Sequence, residues 1–316
     1  MTKKRKPGIS VLLACQNEEA MVALSIRSFL DFGDELIIVD NSSTDKTKTI
    51  VQALGGQYPK KIKFFDVPEL PDLYHNRQFA LKQSSYEWIV RADADFVAYT
   101  DGDYNIMKVR QYLLSRSRRF WPLSISVPLG NVSGDFWHTY RPFERKSWPR
   151  GKKLGYYPAG MSGHRMRIYR FLPFFDFQRL GRWESVRFHH LYQLCSVKWD
   201  KPLWMHCDIK SNMNHFFRSE RTNWRQAGDF ERYPTLQSYI ESIVEQKYDT
   251  KDLTEAAGIY LENQFLPSLE IYNPDKCFPY PSLVLEQMKR NPIYKISSYE
   301  DKLTREFLGI DPVPEP

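Results

Sequence analysis

The chain has 316 residues, 42% of them apolar, and a net charge of +7 from 45 Lys and Arg against 38 Asp and Glu. This composition supplies a sizeable core and excludes a disordered, collagen-like or low-complexity protein. Its apolar runs are of strand length, far below the ~20 residues of a membrane-spanning helix, and no signal peptide is recognisable, so we expect a soluble cytosolic protein.

The first third of the chain alternates strand patterns with helix patterns. The predicted strands are residues 9–15, 36–39, 62–67 and 88–91. The predicted helices are residues 21–30, a second helix that contains Ile50, Val51 and Leu54, and residues 76–82 and 104–114. Ser43 or Thr44 is expected to cap the second helix. Strands and helices that alternate at these lengths predict an α/β fold, a doubly wound, mostly parallel sheet with helices on both faces.

The remaining two thirds have a different texture. Residues 116–225 are rich in Trp and Arg, and they contain three predicted strands, at residues 123–128, 165–169 and 202–209. Beyond residue 225, apolar residues at three- and four-residue spacing predict two helices, at residues 236–248 and 253–265. These helices form a C-terminal extension.

The basic charge and the cysteines narrow the partners only in part. Nucleic acid, an anionic membrane surface and a phosphorylated substrate would all suit a basic chain. The four cysteines, Cys15, Cys195, Cys207 and Cys277, are far apart and include no CxxC pair. This spacing predicts reduced thiols rather than a zinc site or a disulfide framework.

Polar and acidic residues follow the predicted strands, where a doubly wound sheet binds its ligands. They are residues 16–19 (QNEE), residues 40–45 (DNSSTD) and residues 93–95 (DAD). Neither a GxGxxG turn nor a P-loop is present, so a diphosphate would need another means of neutralisation. In an extended segment Asp93 and Asp95 point to the same side, and carboxylates suit Mg²⁺ or Mn²⁺ held against a pyrophosphate. The alternative is a turn with two solvated carboxylates.

Four segments together resemble family 2 glycosyltransferases of the GT-A fold. They are residues 9–19 (ISVLLACQNEE), 36–45 (LIIVDNSSTD), 76–81 (NRQFAL) and 88–95 (WIVRADAD), in the order that the family has them. The resemblance implies a nucleotide-sugar binding half at residues 1–115, an acceptor-binding and catalytic half at residues 116–225, and a helical extension at residues 226–316. Beyond residue 116 the match is loose.

The resemblance implies roles for matching positions. Gln16 and Glu18 would lie under the nucleotide, and Asp40 would accept a hydrogen bond from its base. Asp45 would either contact the nucleotide or act as a helix cap or turn residue. Arg77 would reach toward the nucleotide or its phosphates, or it would be a surface residue of a helix.

The resemblance also implies a metal site. Asp95 would bind Mn²⁺ or Mg²⁺ directly, and Asp93 would contact the ribose or the metal. Such enzymes often complete the metal shell with a late His, followed by a basic residue that steadies the diphosphate. His206 with Lys210 is our first candidate, and His215 is the second; a packed core histidine is the alternative for each.

The catalytic base is where the sequence departs from the family. Inverting members often place the base in a Glu-Asp pair, and residues 116–225 contain none. Glu184, beside Trp183, is the nearest equivalent, and Asp176 is the second candidate for deprotonating an acceptor hydroxyl. A salt bridge with Arg182 or Arg187 is the alternative role of Glu184.

Together these features predict a metal-dependent, inverting transfer of a sugar from an NDP-sugar, with UDP the favoured nucleotide. The acceptor would be a glycan, a lipid-linked molecule or another hydroxyl compound. The alternatives are a non-catalytic nucleotide-sugar-binding protein and, less favoured, a nucleotidyltransferase. We expect no nucleic acid partner. The basic residues 3–6 and 116–119 are solvated faces or peripheral contacts with the cytoplasmic face of an anionic membrane.

Overall fold

The computed structural model describes residues 5–70, 73–116, 121–146, 153–157, 160–180 and 183–290. Its strands are β1 (Lys6–Cys15), β2 (Glu35–Asp40), β3 (Ile62–Asp66), β4 (Tyr86–Asp93), β5 (Phe96–Ala98), β6 (Ser124–Ser133), β7 (His138–Tyr140), β8 (Phe143–Lys146), β9 (Lys153–Tyr157), β10 (Met161–Arg170), β11 (Phe177–Leu180), β12 (Trp183–Val186), β13 (Ser196–Lys198), β14 (Trp204–Asp208) and β15 (Leu269–Ile271). Its helices are α1 (Val22–Phe29), α2 (Thr47–Gln57), α3 (Leu73–Gln83), α4 (Met107–Ser115), α5 (His189–Leu194), α6 (Asn212–Ala227), α7 (Leu236–Tyr248), α8 (Leu253–Tyr260) and α9 (Ser282–Arg290).

Within these residues, nine strands form one central sheet in the order β3-β2-β1-β4-β10-β6-β14-β5, with β13 beside β6. Strands β1 to β4 run parallel to one another, and β13 and β14 are parallel to β6. Strand β10 lies antiparallel between β4 and β6, and β5 is antiparallel to β14. The sheet is therefore mixed but mostly parallel, and it joins strands from both sides of residue 116.

Helices cover both faces of the sheet. Alternate residues of β1 face opposite sides: Val11 and Leu13 pack in one apolar cluster with α1, α2 and α4, whereas Leu12 packs in another with α3 and α5. A strand buried on both faces reads as a continuous apolar run, which is how residues 9–15 appear in the sequence. The predicted α/β fold with helices on both faces is confirmed.

The C-terminal helices form a layer of their own. Phe216 of α6 packs against Ile240 and Val244 of α7 and against Tyr260 of α8. Glu220 of α6 is fully buried in this layer and accepts hydrogen bonds from the Tyr248 hydroxyl at 2.6 Å and the Lys247 Nζ at 2.7 Å. The predicted boundary between residues 225 and 226 falls inside α6. None of the helices in the described ranges has both the length and the apolar character to cross a membrane.

Cys15 and Cys207 are buried, and both are free thiols. Most of the basic residues 3–6 and 116–119 lie outside the described ranges.

Candidate functional site

The carboxyl ends of the parallel strands meet at one edge of the sheet. The turn after β4 carries Asp95, and β5 then pairs with β14 so that Phe96 lies opposite His206. Because β14 also pairs with β6, the end of β6 and the end of β14 lie beside this turn. The sheet topology thus brings residues from distant parts of the chain to a single place.

Three side chains at this edge form a compact group. Candidate ligand atoms of Asp95, His206 and Asp208 all lie within 4.8 Å of one another. His206 and Asp208 are two residues apart on β14 and therefore share a face. The Nε2 of His206 lies 3.2 Å from Oδ2 of Asp95, and its Nδ1 lies 2.7 Å from Oδ1 of Asn131, which holds the ring in place. We call Asp95, His206 and Asp208 the acidic-histidine cluster.

Basic side chains surround the acidic-histidine cluster. The Nζ of Lys210 donates to Oε1 of Glu18 at 2.5 Å and to Oδ2 of Asp95 at 3.2 Å, and it lies 3.8 Å from Oδ1 of Asp208. Arg218, on α6, donates to Oδ1 of Asp208 at 2.5 Å. Two cations therefore lie among three carboxylates at the edge of the sheet.

The charges of these groups shift their pKa values strongly. Burial alone would raise the pKa of Asp95, but His206 and Lys210 lower it well below its ordinary range. Burial likewise opposes ionisation of Asp208, but Arg218 and Lys210 lower its pKa to about 2. Burial would lower the pKa of His206, and Asp95 raises it above the usual value. Asp95 and Asp208 are therefore both ionised at neutral pH.

Glu18 and Lys210 form a buried pair at the end of β1. Burial raises the pKa of Glu18 to about 8, because it outweighs the opposing charge of Lys210, and Asp95 raises it further. The pKa of Lys210 is raised in spite of burial, because Asp95 and Glu18 stabilise its ammonium group. Lys210 is therefore a charged donor at neutral pH.

The structure places Asp93 differently from Asp95. Asp93 Oδ1 forms an ion pair with Nη2 of Arg77, whose side chain is buried in α3. Burial would raise the pKa of Asp93, but the charges of Arg77 and Arg91 lower it. Among the described residues Asp93 is not part of the acidic-histidine cluster. The predicted direct role of Asp93 at a metal has no support in this geometry, because Arg77 holds its carboxylate.

His215 also lies outside the cluster. It is buried on α6, with its ring centroid 4.4 Å from that of Phe265. Burial lowers the pKa of His215 to about 4, so the imidazole is neutral at pH 7. Nε2 of His215 is buried without a hydrogen-bond partner among the described residues, and its metal role stays a prediction.

Asp40 organises the loop after β2. Its carboxylate is fully buried and accepts hydrogen bonds from the Ser43 backbone at 2.9 Å and the Ser43 hydroxyl at 2.5 Å. The predicted cap at Ser43 or Thr44 is wrong, because the first helical N–H, that of Thr47, donates to Asp45 at 2.9 Å. Asp45 thus has the local turn role that the sequence left open. The base contact of Asp40 stays a prediction.

Two residues that the sequence did not single out lie near this loop. The side-chain amide of Asn41 donates to Oδ1 of Asn76 at 3.2 Å and to the Leu70 carbonyl. Arg221 of α6 lies 3.5 Å from Oε1 of the exposed Gln16, at the end of β1. No local sequence signal points to either contact, because each depends on how elements distant in sequence pack.

The candidate bases lie in the β11–β12 hairpin and directly before it. The side chain of Asp176 accepts a hydrogen bond from Gln78 of α3. In the described residues no hydrogen bond or ion pair joins Asp176 to the acidic-histidine cluster. The backbone of Glu184 pairs with Arg179 in the β11–β12 hairpin, and its side chain, like that of Trp183, lies outside the described part of the structure. Both base assignments stay predictions.

Residues 10–110 match the family model described as Glycosyl transferase family 2. This range contains Asp95 and ends before His206 and Asp208. The resemblance to family 2 glycosyltransferases that the sequence motifs indicate is therefore confirmed over the first third of the chain.

The chain is also similar to individual proteins. An uncharacterized glycosyltransferase of Rickettsia typhi is 28% identical over 141 residues, which cover 39% of this chain and 46% of that protein. The lipopolysaccharide core biosynthesis glycosyltransferase LpsC of Rhizobium meliloti is 38% identical over 91 residues, which cover 28% of this chain and 32% of that protein. The match thus spans less than half the length of these relatives.

Among solved structures, residues 1–349 of Staphylococcus aureus TarS align with 82% of this chain and 73% of that chain, at 15% identity and a TM-score of 0.40.

Proposed function

We propose that this chain, whose residues 10–110 match the family 2 glycosyl transferase model, is a glycosyltransferase that moves a sugar from a nucleotide-sugar to an acceptor hydroxyl. The finer parts of the proposal are a UDP-sugar donor, a divalent metal and inversion at the anomeric carbon. The acceptor would be a glycan, a lipid-linked molecule or another hydroxyl compound.

One observation carries the proposal. The acidic-histidine cluster lies at the carboxyl edge of a mostly parallel sheet, in contact with the segment that matches the family. Ligands of such sheets bind beyond this edge. Two carboxylates and an imidazole at this position suit a cation, which in turn would bind the diphosphate of a nucleotide-sugar. A neutral ligand would not need such a group.

The residues of the cluster fit a divalent cation. Oδ1 of Asp95 is buried and has no hydrogen-bond partner among the described residues, so it is available as a ligand. Carboxylate oxygens and an imidazole nitrogen are accepted by both Mn²⁺ and Mg²⁺, although the nitrogen favours Mn²⁺. A cation held by Asp95, His206 and Asp208 would neutralise charge that develops on the departing diphosphate.

The chain's own residues perform the remaining work in this proposal. Lys210 keeps a charged ammonium group beside Asp95. This group donates a hydrogen bond to a phosphate oxygen of the donor. Asn131 fixes the ring of His206 through Nδ1, so that Nε2 faces Asp95. A carboxylate takes the proton of the acceptor hydroxyl, and Glu184, then Asp176, remain the candidates.

The test is substitution of Asp95. We expect Asp95→Asn to abolish the Mn²⁺-dependent rise in melting temperature that UDP gives the wild-type protein, because ligand binding stabilises the fold by mass action. Asp31→Asn removes an exposed carboxylate without a hydrogen bond in the described structure and serves as the matched control. Unchanged Mn²⁺-dependent UDP binding by Asp95→Asn would contradict the metal role.

A second measurement separates an enzyme from a non-catalytic binder. Wild-type protein is incubated with a panel of UDP-sugars and Mn²⁺, and release of UDP is followed over many turnovers. Sustained release supports the transferase. Tight donor binding without release, with any acceptor of the panel, would instead favour the binding protein.

A further inference from the structure

Helix α6 carries a row of arginines on one face. Arg218, Arg221 and Arg225 are spaced by three and four residues, which places them one above another along a helix. Phe216 and Glu220 are buried on another face of α6 in the C-terminal layer. The arginine row is therefore on the side of α6 that the layer leaves uncovered.

Only one arginine of the row has a carboxylate partner within the described residues. Arg218 pairs with Asp208. Arg221 is half-buried, and its Nη1 lies 3.5 Å from Oε1 of Gln16. Arg225 is exposed and forms no ion pair in the described part of the chain. Burial, then the charges of Arg225 and Arg218, lower the pKa of Arg221. Two of the three arginines of the row thus have no carboxylate partner among the described residues.

The row lies beside the acidic-histidine cluster and the carboxyl end of β1. At one end Arg218 contacts the acidic-histidine cluster through Asp208, and in the middle Arg221 reaches Gln16 at the carboxyl end of β1. Lys210 and Arg218 already pair with carboxylates of this site, whereas Arg221 and Arg225 pair with none among the described residues. A guanidinium presents two parallel N–H donors that match a phosphate group.

We propose that Arg221 and Arg225 form an anion-binding site that takes a phosphate group, next to the acidic-histidine cluster but distinct from it. The proposal rests on the proposed function only for the source of this phosphate. The group belongs either to the diphosphate of the donor or to a phosphorylated acceptor. Binding of the anion relieves the repulsion within the row and orients the ligand across α6.

The experiment measures equilibrium binding by the full chain at low ionic strength, with EDTA present so that no metal contributes. The probes are inorganic phosphate, UDP and uridine. We expect Arg221→Gln to weaken at least one phosphate-bearing probe fivefold or more, to leave uridine within twofold, and Arg225→Gln to act in the same direction. Arg221→Lys, which keeps the charge, is expected to restore part of the affinity.

Arg27→Gln is the matched control, since Arg27 is an exposed helical arginine of α1 without an ion pair in the described structure. Weaker UDP with unchanged phosphate assigns the site to the donor, and weaker phosphate with unchanged UDP assigns it to the acceptor. If both phosphate-bearing probes bind Arg221→Gln and Arg27→Gln within twofold of each other, the anion site is wrong. If wild-type protein binds phosphate through Arg221 but binds UDP neither in EDTA nor in a parallel measurement with Mn²⁺, the anion site stands and the proposed donor is wrong.

Discussion

Asp208 shows what a sequence can and cannot predict about a single residue. Strand alternation places His206, Asp208 and Lys210 on one side of a strand, and the structure brings all three to the same edge. The sequence alone nevertheless indicates no role for Asp208, because the residues that contact it belong to other elements. Asp95 arrives through the β5–β14 pairing and Arg218 through α6. Pairings of this kind leave no trace in local residue patterns.

Arg77 and Asp93 make the same point. The resemblance predicted that Arg77 reaches toward the nucleotide and that Asp93 contacts the ribose or the metal. The structure pairs the two side chains with each other. The rotation of α3 on the sheet decides this contact, and a helical pattern as weak as that of residues 76–82 does not specify the rotation. The pair still lies at the end of β4, so Arg77 can hold Asp93 in place for a ligand.

At the residue scale we predict a pH-dependent stabilisation by Asp208. Its pKa is lowered from 3.8 to about 2 in the folded protein, chiefly by Arg218 and against the effect of burial. A lowered pKa contributes stability above the unfolded value that is lost as the pH falls toward the folded value, and this shift corresponds to about 2 kcal/mol. Asp208→Asn should therefore unfold more easily than wild type at pH 7.

Urea unfolding at several pH values checks this prediction. The difference between the wild-type protein and Asp208→Asn should shrink as the pH falls from 4 toward 2, since the wild-type carboxyl becomes protonated there. Asp31→Asn, at an exposed position, should differ little from wild type throughout. A difference that stays constant over this pH range would show that Asp208 stabilises the fold by something other than its charge.

At the scale of elements, helices with a strong apolar periodicity were predicted correctly, whereas a polar helix was missed. The predicted helix at residues 236–248 has the bounds of α7, and the predicted helix at residues 253–265 appears as α8 followed by a π turn at Leu261–Phe265. Helix α6 was not predicted, because few of its residues are apolar. Its ends do carry signals: Ser211 accepts a hydrogen bond from the Asn214 backbone as N-cap, and Gly228 ends the helix with a positive φ of 69°.

We predict that Glu220 anchors α6 to the C-terminal layer. It is fully buried and accepts hydrogen bonds from Tyr248 and Lys247 of α7. Both bonds end on Oε1 of Glu220, so Glu220→Leu removes their common acceptor and leaves the Tyr248 hydroxyl without its partner. This should lower the free energy of unfolding by on the order of 2–4 kcal/mol. Glu220→Gln keeps one acceptor and should cost less.

Denaturant unfolding measures both variants of Glu220, with Glu241→Gln as the control on the exposed surface of α7. The control should change the free energy of unfolding by no more than about 0.5 kcal/mol. Because α6 also carries the arginine row, a loosened α6 should weaken phosphate binding as well. If Glu220→Leu is as stable as the control, the buried carboxylate does not hold α6 in place.

At the scale of the whole molecule, the fold does not divide where the sequence texture changes. The resemblance implied a nucleotide-sugar binding half of a GT-A domain at residues 1–115. In the structure β10 lies antiparallel between β4 and β6, so a strand from beyond residue 160 pairs with β4 of that half. The residues of the acidic-histidine cluster come from both parts. The sheet and the site are therefore properties of the joined segments.

We predict that a fragment of residues 1–116 does not fold cooperatively on its own. Without β10, the edge of β4 is exposed, and Trp88, which is fully buried, loses the contact with Arg170 of β10. Trp88 is the only tryptophan in residues 1–116, so its fluorescence reports on this edge directly. We expect the emission of a solvent-exposed indole and no sigmoidal unfolding in urea, whereas a longer fragment of residues 1–290 should unfold cooperatively. A cooperative transition of the short fragment, with the blue-shifted emission of a buried indole, would show that the first strands form a stable core without β10.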